Sequence, residues 1–322
     1  MKFEIGRPIK KLVFMGHNIW ATTALRALLN KGYQVSGVVC ETDEFDRLEQ
    51  ENYKKFAAFG AYEYLKAVAL DLGLEVVQPA DVHSREFMDW LEKKSPDLIL
   101  MSSYHAIIKK PLLEKFTFIN MHGAPLPRYR GRSPFNWAII NNEKRHGISV
   151  FMLEEGIDTG PIICQRPVEI KFEERAIDII IRCIHSWAEL ALEALEKLQT
   201  KGFQPAAQDL TQGCYFPKRF PEDGVIDWKN ESSLTIYNKV RSLSYPYPGA
   251  YTFFKGEKII FNRARMADNS RIITPVPGIV FSKSIDGAAK VSTRDGWIEL
   301  TEVIWNGEIM PPFKILKMGT RF

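Results

Sequence analysis

DLILMSSYHAIIKKPLLEKFTFINMH (97–122) decides the fold. It holds two apolar runs, DLILMSS (97–103) and FTFINMH (116–122), each too short and too continuous for an amphipathic helix. Runs of this kind read as strands buried on both faces, as in a parallel sheet. Upstream, KKLVFMG (10–16) and YQVSGVVC (33–40) repeat the pattern. Between them, residues 18–31 place Ile19, Trp20, Ala24, Leu25, Ala27 and Leu28 at helical spacing. Residues 61–73 and 83–94 read as further helices. Strands alternating with helices predict an α/β fold, a Rossmann-like, mainly parallel sheet with helices on both faces. The first strand is followed by GHNIWA and not by G-x-G-x-x-G, which disfavours dinucleotide binding through that turn.

Downstream, HGISVFMLEEGIDTGPIICQRPVEI (146–170) reads as two strands around a Gly/Asp turn. A helical apolar face then runs from Glu173 to Leu198, and Gly202 stops it. Residues 203–228 show no period and contain Pro205, Pro217 and Pro221, so they read as a linker. Beyond it, PYPGAYTFF, EKIIFNRARM, GIVFSK, AAKVST and GWIELTEVIW are short runs broken by turn residues, the pattern of a small C-terminal all-β, OB-like barrel. The domain expectation is therefore 1–202, a linker at 203–228, and 229–322.

Composition excludes several function classes. No run approaches the roughly 18 apolar residues of a membrane span, and the N-terminus lacks the apolar core and cleavage site of a signal peptide. A cytoplasmic protein is expected. Cys40, Cys164, Cys183 and Cys214 form no C-x-x-C pair, and the six histidines have no paired ligand spacing, so no metal is expected. The net charge of +4 is uneven. Residues 229–322 hold 14 Lys/Arg against 8 Asp/Glu, or +6, a modest excess that suits a phosphate-rich partner.

NMHGAPLPRYRGRSPFNW (120–137) is the most unusual segment. It joins an apolar strand to a helix for which Ser133 and Pro134 are a good N-cap and first-turn pair. Asn120 and His122 lie two residues apart, so an extended strand end puts both side chains on one face. An amide to stabilise a developing oxyanion beside an imidazole to take a proton suits acyl transfer to an amine. Asp158, in EEGIDTGP, is the candidate partner for the imidazole. Alone, an Asn-x-His pair would read as a strand end with a satisfied loop histidine. The adjoining Pro/Gly/Arg loop, which makes little sense as packing, tips the reading toward a site.

FINMHGAPLPRYRGRSPFNWAIIN with the later EEGIDTGPII resembles the folate-dependent formyltransferase family, and YFPKRFPEDGVIDW and VRSLSYPYPGAYTFF resemble the linker and second domain of its two-domain members. The resemblance covers most of the chain. It implies 10-formyltetrahydrofolate as formyl donor, with Asn120 as oxyanion donor, His122 as general base and Asp158 as its partner. It further implies a folate site at Met101, Ser102, Tyr104, Ile107, Ile157 and Gly160. One departure is Ala124, where the family usually has Ser.

Within the family, YRGRSPFNW and SYPYPGAYTFF look most like members that formylate nucleotide-linked amino sugars for cell-surface polysaccharide biosynthesis, a UDP-4-amino sugar being the expected acceptor. The acceptor site is then expected at Arg130, Gly131, Arg132, Ser133, Asn136, Arg241 and Tyr247, the arginines pairing with a diphosphate. The alternative is formylation of methionyl-tRNA. It is set second because ETDEFDRLEQENYKK (41–55) carries six acidic and three basic residues, a loop that RNA phosphates would repel. Nucleic acid and membrane are thus not expected as partners, and a homodimer is compatible with the reading. His17, His83, His105, His146 and His185 are expected to be structural.

Overall fold

The computed structural model describes residues 3–45, 54–61, 63–266 and 276–322, and the chain divides into two compact units. The first comprises Met1–Pro134, Arg145–Glu169 and Ile180–Pro217. The second comprises Phe135–Lys144, Ile170–Ile179 and Lys218–Phe322.

In the first unit, β1 (Lys11–Gly16), β2 (Gln34–Cys40), β3 (Val76–Val77), β4 (Leu98–Ser102), β5 (Phe118–His122), β7 (Arg145–Met152) and β8 (Ile162–Glu169) form one sheet ordered β3-β2-β1-β4-β5-β7-β8. The pairs from β3 to β5 are parallel, and β7 and β8 run antiparallel at one end. Leu12, Val13, Phe14 and Met15 are all fully buried, which is why β1 reads as a continuous apolar run without alternation. α1 (Ile19–Asn30) follows β1, with the Asn18 side chain accepting the Trp20 N–H as its cap. α2 (Leu65–Asp71), α3 (Arg85–Lys94) and α4 (Lys110–Lys115) complete the alternation. Ser84 caps α3 by accepting the Phe87 N–H, and Ser95 ends it in the left-handed region. Phe87, Leu91 and Leu112 meet Val13, Ile99 and Phe118 in one apolar cluster. The chain also forms α5 (Pro134–Ile140) and the 24-residue α6 (Ala176–Gln199).

The order reverses between β1 and β4, the switch point at whose carboxyl edge open α/β sheets bind ligands. β5, with Asn120 and His122, ends one strand away on that same edge.

The expected linker is divided. Residues 203–217 belong to the first unit, where Ala206 and Ile162 exchange backbone hydrogen bonds of 2.7 and 2.8 Å. A two-residue strand, β9 (Tyr215–Phe216), pairs there in parallel with β6 (Arg130–Gly131). Pairing this short leaves no period in a sequence.

The second unit has α7 (Ser233–Leu243) against an antiparallel sheet ordered β10-β11-β14-β13-β12: β10 (Ala250–Phe254), β11 (Glu257–Met266), β14 (Gly296–Trp305), β13 (Ala289–Thr293) and β12 (Val280–Lys283). β15 (Glu308–Met310) pairs with β14. The all-β expectation holds for the strands, but α7 is an addition. Its Ile236, Val240 and Leu243 enter the core with Phe261, Val291 and Ile298.

Candidate active site

Parallel pairing sets Asn120 opposite Met101 of β4, and antiparallel pairing sets His122 opposite Ser149 of β7. Both residues therefore sit in fixed sheet register at the carboxyl end of β5. His122 is buried, and its Nε2 lies 3.0 Å from the carbonyl oxygen of Tyr129. A carbonyl only accepts, so Nε2 carries the hydrogen in that bond and Nδ1 holds the lone pair of the neutral ring. Nδ1 faces Asp158 Oδ2 at 3.7 Å. The structure thus brings Asp158 to His122, with both side chains nearly closed off from water.

Three features hold Asp158 in place. Its φ is +55°, an uncommon backbone state that its short polar side chain tolerates. Its Oδ2 accepts the Gly131 N–H at 2.8 Å. Its carbonyl oxygen and that of Gly160 accept from Gln208 Nε2 at 3.0 and 2.6 Å. Gly160 can only be glycine here, since a Cβ would stand 1.8 Å from the Met152 oxygen. Gly131 combines a φ of +100° with a Cβ position 2.2 Å from the Phe216 oxygen. The β6–β9 pairing explains that crowding: Arg130 N donates to Cys214 O and Arg132 N to Phe216 O.

The loop between β5 and β6 is tied down along its length. Ser149 Oγ donates to Ala124 O at 2.5 Å and accepts Leu126 N–H at 3.3 Å, while Gln165 Nε2 donates to Leu126 O. The Leu126–Pro127 peptide is cis.

The remaining expected site residues are placed as follows. Met101 is buried core, and buried Ser102 accepts Trp187 Nε1–H at 3.0 Å, so both leave only backbone to a ligand. Tyr104 is partly buried, with its phenol pushed up by burial and by Glu41. Ile107 and Ile157 are exposed apolar side chains. Arg130 has its Nε buried without a hydrogen-bond partner among the described residues, and Arg132 is exposed. Ser133 adopts a φ of +55°, which departs from the extended geometry of an N-cap. In the second unit, Asn136 Nδ2 donates to Ser242 O at 2.7 Å. Arg241 is buried, donating to Asn238 Oδ1 and to the carbonyls of Lys171 and Glu174. Tyr247 is half-buried and its N–H donates to Ser244 O. Sequence reasoning missed Tyr129, Gln208 and Ser149, whose parts depend on backbone atoms and long-range contacts.

A formyl transferase family model matches residues 10–195, and a formyl transferase C-terminal domain model matches residues 219–318. The chain belongs to the formyl transferase family. The methionyl-tRNA formyltransferase of Citrifermentans bemidjiense is 33% identical over 300 residues, covering 92% of this chain and 90% of that protein. That of Geobacter sulfurreducens is 34% identical over 320 residues, covering 97% and 96%. Among solved structures, an N-formyltransferase from Helicobacter canadensis in complex with folinic acid and dTDP-3-aminofucose shares the fold. Its TM-score is 0.69 at 20% identity, over 91% of this chain and 99% of that one. HypX from Aquifex aeolicus in complex with tetrahydrofolic acid has a TM-score of 0.61 at 20% identity. The match covers 95% of this chain, which spans about half of HypX, 46% of its length.

These relatives overturn the expectation of a nucleotide-linked amino sugar and of no nucleic-acid partner. Identity above 30% along almost the whole chain outweighs a likeness of fold at 20%. The structure also shows that one of the acidic groups behind that expectation is turned inward. Glu41 is largely buried and accepts from His105 N and Nδ1, at 2.8 and 3.0 Å. Asp43 accepts from Lys66 and Gln78. These two acidic groups are engaged within the first unit, and residues 46–53 of the same loop lie outside the described residues. The Arg-Gly-Arg turn is likewise built into the Asp158 constellation through Gly131.

Among the described residues no group of three or more His, Cys, Asp or Glu could hold a metal ion, and no helix is long and apolar enough to cross a membrane.

Proposed function

We propose that this chain transfers the formyl group of 10-formyltetrahydrofolate to the amino group of methionyl-tRNA. The observation that carries the reading is its identity of 33–34% with methionyl-tRNA formyltransferases over more than nine-tenths of its length; a chain with Asn120 and His122 on β5 and Asp158 at 3.7 Å from His122 supports it. The exposed apolar side chains of Ile107 and Ile157, in the loops after β4 and before β8, offer a flat ring system a surface that water would otherwise meet.

In the reaction, His122 Nδ1 takes a proton from the attacking amine, which attacks through its nitrogen lone pair. That proton then lies between the imidazole and Asp158. As the tetrahedral centre collapses, the bond from the formyl carbon to N10 of the folate breaks, and N10 takes the proton from His122 as tetrahydrofolate leaves. The Asn120 amide donates to the formyl oxygen as negative charge grows on it, worth on the order of a hundredfold in rate for one such donor. The second unit supplies charge: +6 over residues 229–322 suits an acceptor lined with phosphates. Its β10–β11 hairpin combines exposed Phe253 with Lys258 over the Tyr251 ring and Lys255 over that of Phe254, a mixture of cations and rings that nucleic-acid surfaces use.

The test is transfer of labelled formyl from 10-formyltetrahydrofolate to methionine-charged initiator tRNA, with the Asn120→Ala protein as control. Formylmethionyl-tRNA formed by the natural protein and sharply reduced in the control is the expected result. No product from either protein, with the folded natural protein binding folate, sinks the proposal.

A further inference from the structure

His146 stands at the start of β7 and was expected to be an ordinary structural histidine. It is buried, and its Nε2 lies 2.7 Å from the Gly123 carbonyl oxygen, to which it donates. The Tyr129 ring meets its imidazole edge-on, with centroids 5.4 Å apart. Phe216 of β9 stacks on the Tyr129 ring at 4.8 Å and 12°. Tyr129 itself is buried and holds a φ of +58°, an outlier for a bulky residue that persists only where its surroundings fix it. The strained backbone at Tyr129 presents the carbonyl that His122 Nε2 reaches at 3.0 Å. His146 thus holds the loop at both ends, at Gly123 next to His122 and at Tyr129 where the loop returns to it.

We propose that His146 is a positioning residue for formyl transfer: by clamping Gly123 and Tyr129 it keeps the Tyr129 carbonyl on His122 Nε2, which leaves Nδ1 as the nitrogen that takes the amine's proton. Without the clamp, the Tyr129 peptide relaxes toward an unstrained conformation and its carbonyl leaves the ring. His122 then loses its fixed tautomer and its orientation toward Asp158. The clamp is electrically neutral in its working state, because burial together with the neighbouring His122 and Arg128 depresses protonation of His146. A positive charge there would face His122 as it becomes cationic. The inference rests on His122 acting as the base, and not on the identity of the acceptor.

The experiment compares His146→Ala and His146→Gln, the glutamine amide being able to donate where imidazole Nε2 does. It reads kcat, KM for 10-formyltetrahydrofolate, thermal midpoint, and the His122 ring tautomer by long-range proton–nitrogen NMR. The expected result is a fall in kcat of about ten- to hundredfold in His146→Ala, the scale on which small misplacement of reacting groups acts. KM for the folate stays near its natural value, and His146→Gln recovers most of kcat. In the natural protein His122 shows a protonated Nε2 and a bare Nδ1, and in His146→Ala this preference is lost. Full kcat in His146→Ala overturns the proposal, as does a folded His146→Gln no more active than His146→Ala. If His146→Ala fails to fold, the natural protein still decides: an Nδ1-protonated His122 at neutral pH overturns it. The tautomer is read without any acceptor, so a protein that does not formylate methionyl-tRNA removes the functional proposal while leaving this one under test.

Discussion

His122 Nδ1 and Asp158 Oδ2 face each other across 3.7 Å, too long for a hydrogen bond and short enough for charge to matter. The same Oδ2 is occupied by the Gly131 N–H at 2.8 Å. Asp158 therefore holds the Arg-Gly-Arg turn, and on the proposed function it also faces the proton that His122 collects. Asp158→Asn separates them, since an amide oxygen can still accept from Gly131 but carries no charge. The expected outcome is a thermal midpoint close to that of the natural protein with kcat lowered roughly ten- to a hundredfold, within the range for general acid–base groups. Steady-state rates and calorimetry on the same preparation check it. Unchanged kcat would show that the carboxylate's charge has no part in the reaction.

Gly160→Ala tests how tightly the Asp158 turn is built. The added methyl would meet the Met152 carbonyl at 1.8 Å, and backbone cannot yield as a flexible side chain can. A loss of about 2–4 kcal/mol is expected, at the upper end of single substitutions. Urea unfolding with an unchanged m-value and a lowered midpoint is the measurement.

The strands were legible because burial on both faces leaves uninterrupted apolar runs, as in Leu12–Met15 and Leu98–Met101. The Asn120–His122 pair was legible because a two-residue spacing at a strand end has one geometric meaning. α7 escaped notice because its buried positions, Ile236, Val240 and Leu243, span only about two turns beside a proline-rich segment. Tyr129 and Gln208 escaped because one acts through its backbone carbonyl and the other through bonds to residues 50 and 48 positions away. The acceptor was misjudged from the likeness of YRGRSPFNW and SYPYPGAYTFF to sugar enzymes and from the charge of residues 41–55. A net count cannot tell a solvent-facing carboxylate from Glu41, which is turned onto His105.

Two buried histidines make stability fall in mild acid. Burial lowers His146 to about 4, with His122 and Arg128 adding to the shift. Burial also lowers His17 to about 4, with His105 pressing the same way and Glu41 opposing. Unfolded histidine takes its proton near pH 6.5. Below that pH the unfolded chain binds protons that the folded chain refuses until about pH 4, so stability drops as pH falls through this window. Each histidine can contribute on the order of 3 kcal/mol by pH 4. Urea midpoints measured from pH 7.5 to 4.5 are expected to fall, with a shallower slope in His17→Gln. Equal slopes in both proteins would remove His17 from the explanation.

An acceptor held through phosphates gives a salt signature. Raising potassium chloride from 50 to 200 mM is expected to raise KM for charged tRNA by at least tenfold, because each neutralised phosphate releases counterions. KM for the folate should move far less. Lys255→Ala with Lys258→Ala should lower the slope of log KM against log salt, with kcat at saturating tRNA unchanged. A slope identical to that of the natural protein removes the β10–β11 hairpin from the RNA surface.

The acceptor itself is settled most directly by competition. Methionine-charged initiator tRNA and a set of UDP- and dTDP-linked amino sugars are offered together with 10-formyltetrahydrofolate, and the partition of labelled formyl is counted. The label is expected on methionyl-tRNA, with a specificity constant at least about a hundredfold above every sugar. Label found on a nucleotide sugar, with charged tRNA left unformylated by the same protein, would contradict it.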